Sequence, residues 1–236
     1  MKILAIDSSG MVASVAYLVD DVLVAEYTTN FKLTHSQTLL PMLEEVKNRI
    51  ELNLDQIDAI AIAAGPGSFT GLRIGSATAK GLGLALNKPL ISVSTLEAMA
   101  YNIWAEGVYI CPMIDARREE VFVGVYEQIA GKLNTIIEPT ALPIRDLLNQ
   151  MNETRKKIIF LGDGSIVYKH IIDEIMQENA SYAPAHLLEQ RAGSIAVLGA
   201  NYYRQGIFEK PEEHQPVYLR LSQAERELME KRGLNQ

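Results

Sequence analysis

The sequence predicts an α/β protein built from two similar lobes with a cleft between them. Three observations carry this. Apolar runs ending in an aspartate occur twice, at Lys2–Ser8 and Tyr109–Asp115; a short apolar run enters a Gly-x-Gly turn twice, at Ala59–Gly67 and Ile158–Gly164; and the elements around each follow the same order. Apolar runs of this length read as strands buried on both faces, and their alternation with helical patterns implies mixed sheets covered by helices.

Lys2–Ser8 (KILAIDSS) is a buried strand that presents Asp7 at its C-terminal edge. Val12–Val19 and Val22–Tyr27, rich in β-branched and aromatic residues, form a hairpin around Asp20-Asp21. Leu39, Leu43, Val46 and Ile50 share one face of a helix over 36–50, with Leu40 and Met42 as apolar residues off that face. Ala59–Ala64 is a strand running into Gly65-Pro66-Gly67 and a helix over 70–86; Pro89 closes that helix, and Leu90–Val93 is the next strand. Downstream, Tyr109–Asp115, the pair Val121–Tyr126 and Leu133–Ile137, a helix over Leu142–Met151, and Ile158–Leu161 entering Gly162-Asp163-Gly164-Ser165 repeat the plan. The expected division is a first lobe over 1–105, a second over 106–206 and a tail over 207–236. The tail reads as a loop at Pro211–Pro216, an extended piece at Val217–Leu221 and a charged helix at Ser222–Arg232, N-capped by Ser222 with Glu225 three residues on, packing on the first lobe.

The 236 residues, 48% of them hydrophobic, suffice for well-formed cores. A net charge of −7 argues against a protein that grips nucleic acid alone, and Arg117-Arg118 and Arg155-Lys156-Lys157 are short enough to be solvated loop charges. No run of 18 apolar residues occurs, Asp7 interrupts the opening apolar run, and the lone Cys111 cannot build a disulfide framework, so a cytosolic protein is expected.

Asp7 with the Gly65-x-Gly67 turn is the candidate nucleotide site, because backbone N–H groups and a helix N-terminus favour phosphate. Asp7 and Asp115 could hold a hydrated cation beside it, or simply terminate their strands. No Gly-x-Ser-x-Gly elbow is present, Cys111 has no flanking histidine, and His35, His170, His186 and His214 lack a paired spacing; these histidines read as surface or packing residues. The helix over 70–86 carries Gly71, Gly75, Gly81 and Gly83, together costing about 3–4 kcal/mol relative to alanine. Gly71, Gly75, Ala79 and Gly83 step by four into one smooth stripe, about 18 Å long at the helical rise. Such a stripe permits close approach of either the protein's own sheet or a partner. The partner reading makes Leu39, Leu40, Met42, Leu43, Gly71, Gly75, Ala79 and Gly83 the candidate interface.

Met1–Gly10 (MKILAIDSSG), Thr34–Pro41 (THSQTLLP), Ala63–Lys80 (AAGPGSFTGLRIGSATAK) and Pro216–Arg220 (PVYLR) together resemble the bacterial TsaB family, also called YeaZ, over the whole chain. The resemblance implies the actin-like fold of sugar kinases and heat-shock ATPases. It implies a non-catalytic role in making threonylcarbamoyladenosine on tRNAs that read codons beginning with A. It also implies pairing through the helices at 36–50 and 70–86 with a TsaD-type paralogue that holds the transferase site, joined by a TsaE-type ATPase, with tRNA reached only through the complex. Active members of the superfamily carry two metal-binding histidines where this sequence has Thr95 and Met99, which cannot replace them. No intrinsic cofactor or metal is therefore expected, although the cleft leaves room for ATP or ADP, and a homodimer is expected when the partner is absent. The alternative is a stand-alone ATP-dependent phosphotransferase or ATPase using Asp7.

Overall fold

A computed structural model describes residues 1–31 and 34–220. The first half contains β1 (Lys2–Asp7), β2 (Ala13–Val19), β3 (Val22–Thr29), α1 (His35–Arg49), β4 (Ala59–Gly65), α2 (Phe69–Leu86), β5 (Leu90–Ser94) and α3 (Thr95–Ala100). The second contains β6 (Tyr109–Arg117), β7 (Glu120–Ile129), β8 (Lys132–Pro143), α4 (Ile144–Glu153), β9 (Ile158–Leu161), α5 (Asp163–Val167), α6 (Lys169–Met176), β10 (Ala180–Tyr182) and α7 (Ala192–Arg204). The two five-stranded sheets run β3-β2-β1-β4-β5 and β10-β9-β6-β7-β8. In each, the apolar strand ending near an aspartate is central, antiparallel to the hairpin that follows it and parallel to the strand before the Gly-rich turn. The β2–β3 turn places Asp20 and Asp21 at φ 46° and 69°, the left-handed pair that suits a two-residue hairpin.

Strand alternation assigns the cores. Ile3 and Ala5 of β1 face a layer that includes Ile195, Ala196 and Leu198 of α7, whereas Leu4 and Ile6 face Leu39, Met42 and Leu43 of α1 and Ala79 of α2. Likewise Cys111 and Met113 of β6 face α4 and α6, whereas Ile110 and Ile114 face Leu96, Met99 and Ala100 of α3. α3 is thus the apolar wedge shared by both lobes. Among the described residues, no helix is long and apolar enough to cross a membrane.

One expectation needs correction. α7 does not belong to the second lobe, because its apolar face and Gly199 seat on β1, β2 and β4 of the first sheet; the chain returns to the first lobe well before Gly206. Within the tail, Leu90 pairs with Glu209 and Val217 N–H donates to Ala64 O at 2.7 Å, both on the first lobe, whereas Arg220 donates to Ala116 O and Glu120 of the second lobe. Leu221 and the expected helix Ser222–Arg232 lie outside the described residues.

A Cβ at Gly199 would lie 2.6 Å from Ala61 Cβ on β4. Gly199→Ala is therefore expected to lower stability by about 1–3 kcal/mol, against the gain alanine gives in a free helix. Thermal unfolding checks this; an unchanged or raised midpoint would mean that α7 does not sit directly on β4.

Candidate functional site

The loop after β1 lies directly on the N-terminal turns of α2. Ser68 caps that helix by accepting from Gly71 N–H at 3.2 Å, and its own N–H donates to Ser9 O at 2.6 Å. Ser8 Oγ donates to Gly71 O at 2.9 Å. A Cβ at Gly67, Gly71 or Gly75 would collide with Ser9 O, Ser8 O or Ser8 Oγ, and one at Gly83 would reach 2.8 Å from Pro211 Cγ. The small-residue stripe is thus the seat of the protein's own chain. Gly71, Gly75, Ala79 and Gly83 are buried and present no surface to a partner, which corrects their expected place at an interface. Leu39, Met42 and Leu43 are buried as well. Met42 lies three residues after Leu39 and four before Val46, which returns it to the inner face of α1 rather than off it. Of those eight residues only Leu40 is exposed, at 54%.

The outer face of α2 is apolar too. Ala77, Gly81, Leu84 and Ala85 are exposed, Ile74 and Thr78 half-buried, and a Cβ at Gly81 would meet nothing within 4 Å. Leu84 is 53% exposed. The charges on the helix are Arg73, stacked 3.9 Å above the Phe69 ring, and Lys80, whose Nζ donates to Glu212 O and His214 O. α1 packs beside α2 with Leu40 on its exposed side.

Asp7 and Gly67 come together through Ser9, whereas Gly65, at the end of β4, lies against Val217. Asp7 accepts from Ser9 N–H at 2.9 Å and Ser9 Oγ at 2.7 Å. Burial pushes its carboxyl up to about 6 from an ordinary 3.8, with the Ser9 hydrogen bonds and then His35 opposing. Gly65, at φ +124°, has Val217 O packed where a side chain would be, and Gly65-Pro66 is a cis peptide. In this conformation the ground beside the turn is held by Ser8–Ser9 and Val217, and the Ser68 N–H already has its acceptor. Asp115 is engaged in its own lobe, accepting from Tyr168 Oη and Arg117 N–H, each at 2.8 Å.

Thr95 and Met99 are buried in α3. Met99 lines the inter-lobe core with Leu96, Ile114 and Leu161, its Cε against Gly162. Sequence reasoning missed α3, whose six residues are too short to display a period, and it missed a polar clasp on the tail. Buried His214 has Ser76 Oγ 2.9 Å from Nε2, and Ser92 Oγ and Glu209 Oε1 each 2.9 Å from Nδ1. These partners lie up to 138 residues apart, so no local pattern announces them.

Two outcomes test this geometry. Gly75→Ala should destabilise, since its Cβ meets Ser8 Oγ and lies 3.2 Å from Ile62 Cδ1, whereas Gly81→Ala, with open space, should stabilise by about 0.5–1 kcal/mol. Denaturant unfolding of both variants checks the pair, and equal shifts would contradict the inward stripe. For Asp7, a folded pKa above the unfolded one means that its contribution is full below pH 3.8 and is lost as pH rises through about 6. Asp7→Asn keeps an oxygen for both Ser9 donors and is expected to be more stable than wild type at pH 7 by up to about 3 kcal/mol, with the gap closing towards pH 4. A gap independent of pH would refute the burial of an ionisable Asp7.

The profile of the TsaD family, tRNA N6-adenosine threonylcarbamoyltransferase, matches residues 24–228. The tRNA threonylcarbamoyladenosine biosynthesis protein TsaB of Bacillus subtilis is 32% identical over 98% of this chain and 99% of its own. A Pseudomonas aeruginosa structure described as an uncharacterized protein similar to peptidase YeaZ superposes with a TM-score of 0.80, at 29% identity over 93% of this chain and 99% of the other. The ROK hexokinase of Thermus thermophilus shares the fold alone, with a TM-score of 0.50 at 11% identity over 87% of this chain and all of the other.

Proposed function

The chain belongs to the TsaB (YeaZ) family of tRNA threonylcarbamoyladenosine biosynthesis proteins, with the actin-like two-lobe fold, and on that premise we propose that it is a non-catalytic subunit that pairs with and activates a TsaD-type threonylcarbamoyltransferase. The reaction served is the modification of tRNAs reading codons that start with A, with tRNA met through the complex and a TsaE-type ATPase joining it. The observation that carries the reading is α2 itself: apolar inside and outside, it has the composition of a helix buried all round, yet Ala77, Gly81 and Leu84 face solvent. A paralogue presenting a matching helix pair would cover that face together with Leu40, and a second copy of this chain would do so when the paralogue is absent. The burial of Thr95 and Met99, the latter in the inter-lobe core, supports the non-catalytic part, since the family resemblance puts the histidines of active members at these two positions. No ATP turnover is assigned to the isolated chain.

Gly81→Arg and Leu40→Glu both alter exposed positions, so the monomer should fold normally while association with the TsaD-type protein weakens by about a hundredfold. Sedimentation of the mixed subunits reads the association, and a tRNA modification assay with each subunit omitted reads the function. Heterodimers of wild-type affinity in both variants would rule out this face, and modification at full rate without this chain would rule out the subunit role.

A further inference from the structure

The segment Pro216–Arg220 passes from the first lobe to the second. Upstream of it the tail is fastened to the first lobe at several places. Leu90 and Glu209 exchange backbone hydrogen bonds of 2.9 Å, Lys80 Nζ donates to Glu212 O at 3.2 Å and His214 O at 3.0 Å, and buried His214 is clasped by Ser76, Ser92 and Glu209. Val217 N–H then donates to Ala64 O at 2.7 Å near the end of β4, and Val217 O lies over Gly65. Tyr218 rests on the first turn of α2, its ring 5.0 Å from that of Phe69 and its Oη accepting from Arg73 Nε at 3.3 Å. Two residues on, Arg220 Nη1 donates to Ala116 O at 3.2 Å, near the end of β6, and to Glu120 at the start of β7.

The hold on the second lobe is of another kind. Among the described residues, the hydrogen bonds of this segment to that lobe all come from the Arg220 side chain. Only 17% of that side chain is exposed, so its pair with Glu120 is shielded and stronger than a solvated surface pair. The pair also closes over a strained turn. Arg117, Arg118 and Glu119 have φ of 68°, 58° and 58°, a left-handed run that residues other than glycine keep only where neighbouring contacts hold it. Arg117 N–H on Asp115 at 2.8 Å and Ile144 N–H on Glu119 O at 2.9 Å are two such contacts, and Arg220, bound to both flanks of the turn, is a third. Elsewhere the chain crosses between the lobes at 101–108 and 183–191, where Asn102 Nδ2 ties the crossings together by donating to Leu187 O and Glu189 O, and α3 ends at the first of them. Two crossings grouped beside one helix make a hinge. The tail adds a separate tie at the carboxyl ends of β4 and β6, the edge at which α/β sheets present their crevice.

We propose that Pro216–Arg220 is a latch between the lobes, anchored on the first and hooked by Arg220 onto the β6–β7 turn, so that release of this one side chain frees the second lobe to turn about the two crossings. The latch does not depend on the partner reading. Double electron–electron resonance on the full chain, with nitroxides at Lys47→Cys on α1 and Glu153→Cys on α4, tests it; both positions are exposed, and buried Cys111 stays unlabelled. One narrow distance distribution is expected with Arg220 in place. Arg220→Ala should lose it while the thermal unfolding midpoint stays near that of the labelled parent, since each lobe keeps its own core. Glu120→Ala should do the same from the other side of the hook, and it decides the matter if Arg220→Ala fails to fold. A broad distribution already present with Arg220 in place, or one left narrow and equally centred by both substitutions, would overturn the proposal. So would a midpoint that falls steeply along with the distance change, because Arg220 would then hold the fold itself rather than the setting of the lobes.

Discussion

The close approach of the Ser8–Ser9 backbone to α2 is the contact on which the first lobe depends. It requires glycine at 67, 71 and 75, because Ser8 and Ser9 atoms stand where their Cβ atoms would be. In exchange for weaker intrinsic helicity, α2 settles deep against β1 and β4, with Leu72 and Ala79 buried behind it. The same approach seals Asp7 from water and turns its carboxylate towards Ser9, which is why burial dominates its ionisation. The turn at Gly65–Gly67 is thereby packed with the protein's own chain.

A second dependence runs through α3. Ser94 caps it, accepting from Glu97 N–H at 3.4 Å, and its apolar side fills the space between the two sheets. Thr95 and Met99 are both buried, the methionine within the core between the lobes. The Met99 thioether fits the irregular gap beside Gly162 without bringing in a polar group that needs a partner.

Much of this architecture is legible locally. The central strands, the Asp20-Asp21 turn and helices α1 and α2 follow from apolar periodicity and turn chemistry, which act over a few residues. The element order also discloses the duplication. What could not be read is which distant surface an element meets. The helix Ala192–Arg204 is apolar and rich in small residues whichever sheet it covers, and its return to the first lobe is decided by Gly199 fitting onto Ala61. Met42 belongs to the second of two adjoining apolar rows on α1, which the spacing Leu39, Leu43, Val46, Ile50 does not display. The hook of Arg220 and the clasp on His214 arise from contacts between remote segments.

The spacing of the glycine stripe does not disclose its direction, for a geometric reason. A period of four marks a smooth row but not its direction, and α2 has small or apolar residues on both sides: Gly71, Gly75 and Gly83 within, Ala77, Gly81 and Ala85 without. Internal packing therefore accounts for the inner row alone, and the proposed partner docking concerns the opposite face of the same helix. The inner face holds α2 through backbone-level contacts that leave little room for rocking, so the outer face is presented at a fixed height above the sheet. A smooth exposed row on a rigid support suits close helix-to-helix contact, since a partner's side chains meet few protruding groups and little further ordering of α2 is required.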